Sequence, residues 1–176
     1  MVYMSVKHKF RVGIITASDK GSRGERDDLS GAAIKKIAED SGYLVTSYRI
    51  LPDEQKELEK EMSRLADEDI CDLILTTGGT GFSKRDVTPE ATLSVSERPV
   101  PGIPEAIRAY SMTITKRAML SRGTAGIRGQ ALIVNLPGSP RAVKESLEYI
   151  MSELEHGLCI LKGLTGECAG KDVVHG

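Results

Sequence analysis

Four short apolar runs rich in β-branched residues, interleaved with segments of helical periodicity, constrain the fold of this chain most. They are "FRVGIITAS" (residues 10–18), "YLVTSYRIL" (43–51), "DLILTT" (72–77) and the middle of "GQALIVNLPGSP" (129–140). Runs of this length and composition read as strands, the first of them buried on both faces. Strands that alternate with helices need crossover connections. The expectation is therefore an α/β fold, a three-layer αβα sandwich on a mostly parallel sheet.

The intervening segments supply the helices. "LSGAAIKKIAEDSG" places Leu29, Ala33 and Ile37 on one stripe and stops near Gly42. In "EQKELEKEMSRLADED", Leu58, Met62, Leu65 and Ala66 fall at i, i+4, i+7 and i+8, and the many charges form a solvated outer face. A short helix is expected from Pro89, with Thr88 as its cap. A turn at "RPVPGIP" precedes a helix from about Pro104 to Lys116 carrying Ile103, Ile107, Tyr110 and Ile114 on one side. Ser139-Pro140 opens a long last helix whose stripe is Val143, Leu147, Ile150, Met151, Leu154 and Leu158. Residues 1–176 read as one domain, with the stretch 163–176 unassigned.

Charge excludes several functions. The 24 Lys plus Arg nearly balance 25 Asp plus Glu, which leaves no field for gripping nucleic acid or an anionic membrane. The opening "MVYMSVKHKF" lacks a signal-peptide core, and no run approaches a membrane span, so the expected address is the cytoplasm. Cys71, Cys159 and Cys168 are odd in number and without framework spacing, which argues against disulfides. His8, His156 and His175 are scattered and give no zinc spacing. The closing "GLCILKGLTGECAGKDVVHG" holds two Cys and one His, and it reads as a frayed terminus rather than a metal site.

In such a sheet the ligand sits beyond the carboxyl ends of the strands. Those ends are "TASD" (16–19), "PDE" (52–54), "TTGGTG" (76–81) and "NLPGSP" (135–140). They bring together Ser18, Asp19, Asp53, Asn135 and, a few residues on, Asp86. Gly78, Gly79 and Gly81 allow backbone to approach a ligand where a β-carbon would intrude. Helix starts near Thr88 and Ser139 favour an anion by roughly 0.3–1 kcal/mol each. Glycines after a strand also make plain tight turns, and "GGTGFSK" matches neither standard nucleotide fingerprint. A second loop of like chemistry at "NLPGSP" tips the balance toward a phosphate-bearing ligand.

The aspartates then demand a cation. A carboxylate about 4 Å from a phosphate charge is repelled by roughly 4 kcal/mol at an effective dielectric near 20. Mg²⁺ reverses that sign, and it habitually takes one or two carboxylates plus phosphate oxygens. If Asp53 and Asp86 both face the site, Mg²⁺ is implied. The structural alternatives are an N-cap role for Asp53 after Pro52, and pairing of Asp86 with Arg85 or Lys84.

"TTGGTGFSKRDVTPEA" (76–91), "SRGTAGIRGQALIVNLPGSP" (121–140) and Asp28-Leu29-Ser30-Gly31 resemble the MogA/MoaB family of molybdenum-cofactor biosynthesis proteins, related to the G domain of gephyrin. The resemblance runs over about residues 9–162. It implies adenylylation of molybdopterin by ATP with Mg²⁺, giving adenylyl-molybdopterin and pyrophosphate. It also implies a homotrimer and hand-over to a MoeA-type molybdate-insertion protein. The family's two essential aspartates map to Asp53 and Asp86, as metal or positioning groups. Its glycine loop maps to Thr77, Gly78, Gly79, Thr80 and Gly81. Its pterin and phosphate contacts map to Ser121, Asn135, Pro137, Gly138 and Ser139. The charged first loop "KGSRGERDD" leaves open which of its residues meets ligand. The rival readings are a CinA-like nucleotide pyrophosphatase, a silent pterin carrier, and a scaffold.

Overall fold

The computed structural model describes residues 9–164. One six-stranded sheet runs in the order β2-β1-β3-β6-β5-β4. Its parallel part comprises β1 (Arg11–Ala17), β2 (Leu44–Leu51), β3 (Leu73–Thr77) and β6 (Ala131–Leu136). The short strands β4 (Arg98–Pro99) and β5 (Ala125–Arg128) extend it antiparallel beyond β6. β3 and β6 are buried throughout and β1 from Val12 on, as their unbroken apolar character requires. β2 lies at the sheet edge, which is why Leu44 and Tyr48 remain exposed.

Helices cover both faces. α2 (Leu29–Asp40), α5 (Gly102–Met112) and α6 (Pro140–Leu161) pack on one side, where Ile34, Ile107, Leu147 and Leu154 meet Ile14, Leu75 and Val134. On the other side α3 (Gln55–Asp67) and α4 (Thr88–Val95) set Leu58, Met62, Leu65 and Ala91 against Ile15, Ile74 and Ile133. This is the three-layer αβα arrangement expected from the strand–helix alternation.

Several local expectations shift. α2 turns Ile34 and Ala38 inward along with Ser30 and Gly31, while Leu29 stays 64% exposed. The rotation has a steric cause. A β-carbon at Gly31 would stand 2.2 Å from an Asp28 oxygen, 2.5 Å from the Tyr48 hydroxyl and 2.7 Å from the Thr16 hydroxyl. α5 ends at Met112, before a 3-10 turn at Lys116–Leu120, so Ile114 lies outside the helix and is exposed. β4 and β5 escaped the sequence reading because strands of two and four residues carry too little apolar pattern.

The caps divide. Ser139 caps α6, its hydroxyl accepting from the Ala142 N–H at 3.2 Å. Thr88 does not cap α4. It is the first helical residue, Val87 holds the cap position, and the Thr88 hydroxyl is buried without a partner among the described residues. Pro89 alone supplies the start signal, since its fixed φ and missing N–H suit the first turn.

The expectation against disulfides is also corrected. Cys71 is a buried free thiol, but Cys159 on α6 is disulfide-bonded. An odd count of cysteines does not by itself exclude a disulfide. The metal role weighed for the tail after Lys162 lies largely outside the described residues. Among those residues no helix is long and apolar enough to cross a membrane.

Candidate active site

Register decides where the strand ends meet. Ile15, Thr76 and Asn135 form one row across β1, β3 and β6, and Thr16, Thr77 and Leu136 form the next. The chain steps from β1 outward to β2, then returns to β3 on the other side of β1. A crevice opens at such a reversal of strand order. Here it is a cavity of about 430 Å³, lined by Thr16, Ser18, Asp28, Ser30, Asp53, Thr77, Gly78, Gly79, Asp86 and Gly138, with Arg26 and Asp27 among the remaining residues.

The glycine loop leaves β3 at Gly78 and Gly79, both left-handed, with φ of 87° and 66°. A β-carbon at Gly78 would stand 2.3 Å from the Ala17 carbonyl, so β1 and the loop touch backbone to backbone. At Gly79 it would stand 2.3 Å from the Thr88 hydroxyl. Thr77 closes the floor by donating its hydroxyl to the Pro137 carbonyl at 2.6 Å. Ser30 donates to the Gly138 carbonyl at 2.8 Å, which ties α2 to the "NLPGSP" loop.

Asp53 and Asp86 both face this cavity. Asp53 exchanges backbone contacts with Asp19. Its Oδ2 accepts the Asp19 N–H at 2.9 Å, and an Asp19 oxygen accepts the Asp53 N–H at 3.1 Å. That pair locks the loop after β2 onto the loop after β1. The N-cap alternative for Asp53 fails, since Glu54 occupies the cap position of α3 without a side-chain bond. Burial pushes the Asp53 carboxyl above its ordinary range, and the charges of Asp19 and Asp86 add to that rise.

Asp86 is not paired with Arg85. The Arg85 guanidinium grips both oxygens of Asp19, at 3.0 and 2.9 Å, and reaches Glu54 at 2.7 Å. It thereby holds the Asp19 carboxyl below its ordinary range. Asp86 instead accepts the Ser83 N–H on Oδ2 at 2.9 Å. Neither Asp53 Oδ1 nor Asp86 Oδ1 has a hydrogen bond among the described residues, so each carboxylate keeps an oxygen for a ligand.

The remaining sequence candidates are placed less uniformly. Ser18 lines the cavity while capping the four-residue helix α1 (Asp19–Ser22), its hydroxyl accepting from Gly21 at 3.0 Å. Asn135 is buried under the sheet end and fully engaged. Its amide donates to Thr76 and Thr92 at 2.9 and 2.8 Å, and its carbonyl accepts the Thr124 N–H at 3.1 Å. Thr80, Gly81, Ser121, Pro137 and Ser139 are not among the residues that line the cavity.

Asp28 and Arg122 are among the residues that sequence reasoning did not assign to the site. Asp28 caps α2 through Gly31 at 2.9 Å, and its other oxygen receives the hydroxyls of Thr16 and Tyr48 at 2.5 and 2.6 Å. Arg122 donates to the Gly81 carbonyl at 2.7 Å and the Asp86 carbonyl at 2.6 Å, and it pairs with Glu90. Its own N–H reaches the Thr80 carbonyl at 2.9 Å. An arginine 36 residues from its partner leaves no trace in local spacing.

A metal fits this donor set on one condition. Among the described residues no group of three or more His, Cys, Asp or Glu could hold an ion. Mg²⁺ needs no such cage, because it keeps waters and binds through one or two carboxylates together with substrate phosphates. Asp53 and Asp86 match that pattern.

Comparison with known proteins agrees with the geometry. Residues 13–156 match a family model described as a probable molybdopterin binding domain. A molybdopterin adenylyltransferase of Helicobacter pylori is 41% identical over 156 residues, covering 86% of this chain and 88% of that protein. The Escherichia coli molybdopterin adenylyltransferase is 44% identical over 144 residues, covering 80% and 73%. The crystal structure of the molybdopterin biosynthesis enzyme MoaB from Thermus thermophilus superposes with a TM-score of 0.83 at 47% identity, covering 88% of this chain and 97% of that one. The cavity at the β1/β3 reversal thus sits in a member of the molybdopterin-binding family of molybdenum-cofactor biosynthesis proteins, to which this chain belongs.

Proposed function

We propose that the chain is a molybdopterin adenylyltransferase that joins AMP from ATP to the phosphate of molybdopterin and releases pyrophosphate. The observation that carries this reading is the convergence of Asp53 and Asp86 on a cavity whose floor is bare glycine backbone. Positioning and charge neutralisation do most of the work in phosphoryl and nucleotidyl transfer. No nucleophilic side chain is required, because the pterin phosphate attacks the α-phosphorus itself.

Each residue then has a task. Asp53 and Asp86 would hold Mg²⁺, whose charge would offset the negative charge that gathers on the phosphates. Gly78 and Gly79 let the loop backbone lie against the ligand. Ser18, Thr77 and Gly138 line the same cavity and contact nucleotide or pterin. Thr80, Gly81, Asn135 and Pro137 support the loops around it through the bonds already described, and Ser121 and Ser139 are assigned to the pterin side as the family resemblance implies. The relatives named as adenylyltransferases support the reaction.

Assembly as a homotrimer, a cytoplasmic address and delivery of the product to a MoeA-type molybdate-insertion protein belong to the same proposal. An apolar groove of about 510 Å³ between α5, β5 and α6, with the stacked Tyr110–Tyr149 pair on the same two helices, supports self-association.

Turnover of ATP with molybdopterin is the decisive assay. Adenylyl-molybdopterin and pyrophosphate should form in equal amounts, and EDTA should stop the reaction. Asp86→Asn preserves shape but deletes one charge. It should slow turnover by at least about 10²-fold, corresponding to roughly 3 kcal/mol of transition-state stabilisation. Molybdopterin binding without ATP consumption would make the protein a carrier, and wild-type turnover by Asp86→Asn would remove that residue from the mechanism.

A further inference from the structure

The first loop, "DKGSRGERDD" (19–28), carries three basic residues, Lys20, Arg23 and Arg26, and the structure separates their roles. Arg23 is committed to Glu25 through two contacts at 2.8 and 3.0 Å. Lys20 sits in the short helix α1 and does not line the cavity. Arg26 does line it, and it is the one basic side chain among the described residues that does so. Among the described residues Arg26 makes no hydrogen bond or ion pair, although Asp27, Asp28, Asp53 and Asp86 line the same cavity.

The adjacent Asp28 carboxylate is occupied elsewhere. Both Asp28 oxygens are taken, one by the Gly31 N–H and the other by the Thr16 and Tyr48 hydroxyls. Of the other arginines near the site, Arg85 is held by Asp19 and Glu54, and Arg122 by the Gly81 and Asp86 carbonyls. A guanidinium that lines a cavity without a partner among the described residues can make a two-pronged contact to phosphate oxygens. It also supplies positive charge on a wall where the protein otherwise contributes carboxylates.

We propose that Arg26 is a phosphate-binding residue of this cavity, gripping a phosphate group of the triphosphate or of the pterin. The assignment rests on the adenylyl-transfer reading for the identity of the ligands, but not for the binding itself. Charge-assisted contacts of this kind fall off with added salt when they are solvent-exposed.

Calorimetric titration of wild type, Arg26→Gln and Arg26→Lys with Mg-ATP, molybdopterin and inorganic pyrophosphate tests it. Arg26→Gln should weaken binding of at least one phosphate ligand about tenfold or more, most at low salt. Arg26→Lys should recover part of that loss, because it keeps the charge and loses the fork. The melting temperature should not move, since the side chain makes no bond among the described residues. A loss confined to Mg-ATP and pyrophosphate assigns Arg26 to the nucleotide, and a loss confined to molybdopterin assigns it to the pterin phosphate. Unchanged affinity for all three ligands overturns the proposal while leaving the adenylyl-transfer reading intact. Wild-type binding of pyrophosphate that depends on Arg26, without turnover of ATP and molybdopterin, would keep the phosphate contact and overturn the reaction.

Discussion

At Gly79 three requirements meet on one α-carbon. The backbone is left-handed at φ 66°, the Thr88 hydroxyl would crowd a β-carbon at 2.3 Å, and an Asp53 oxygen would stand 3.3 Å from it. Gly42, which closes α2 with φ 86°, has nothing within 4 Å of the same point. Alanine at Gly42 should therefore cost only the left-handed backbone, about 1 kcal/mol. Alanine at Gly79 should cost that and the displacement of a buried side chain, at least about 2 kcal/mol in all. Urea unfolding of the two variants measures the difference, and equal losses would show that the loop yields freely at Thr88. The glycines themselves stand in plain sight in "TTGGTG". What each one avoids does not, because Thr88 lies nine residues beyond Gly79 and Asp53 twenty-six before it.

The element that carries Asp86 is a loop, residues 78–87, with little structure of its own. Arg122 holds it by the Gly81 and Asp86 carbonyls, and Glu90 balances the guanidinium. The grip falls on the Asp86 backbone and leaves its carboxylate available. Arg122→Gln should accordingly lower kcat for adenylyl transfer by about tenfold or more while the KM for molybdopterin changes little. Steady-state kinetics with both substrates checks this, and a loss seen only in KM would place Arg122 in binding instead. At this scale the sequence revealed helices with sustained stripes, as in α3 and α6, because their period repeats several times. It missed β4 and β5, whose few residues repeat nothing, and it misplaced the face of α2, where Gly31 and Asp28 rather than apolar residues set the contact.

Across the whole molecule, Asp72 fastens the end of the sheet away from the cavity. Its carboxylate is almost fully buried, taking Arg11 at 2.8 Å and Lys162 of the α6 cap at 2.6 Å. Burial alone would raise its pKa, but the bonds from Arg11 and Lys162 outweigh it and lower the value from 3.8 to about 2. A depressed carboxylate stabilises the fold above its unfolded pKa and loses that contribution as pH falls through the folded one. The contribution of Asp72 should thus be complete at neutral pH and fade between about pH 4 and about 2. Asp72→Asn should cost about 3 kcal/mol at pH 7, leaving two cations without their buried partner. Denaturation of both proteins across acid pH should show their difference shrinking as pH falls, and a constant difference would mean that Asp72 acts through packing.

Local sequence was enough for the α/β class, the helix stripes that bury α3 and α6, and the edge of the sheet at which the candidate cavity opens. These follow from periodicity and from which residues end each strand, both of which are local. It also held the motifs that resemble the family. Only the packed fold decided that Arg85 serves Asp19 rather than Asp86, that the amide of Asn135 is spent inside the fold, and that Arg26 lines the cavity. Those outcomes depend on which loops the parallel register brings side by side. Hydrogen bonds and ion pairs act over a few ångströms in space and are indifferent to separation along the chain.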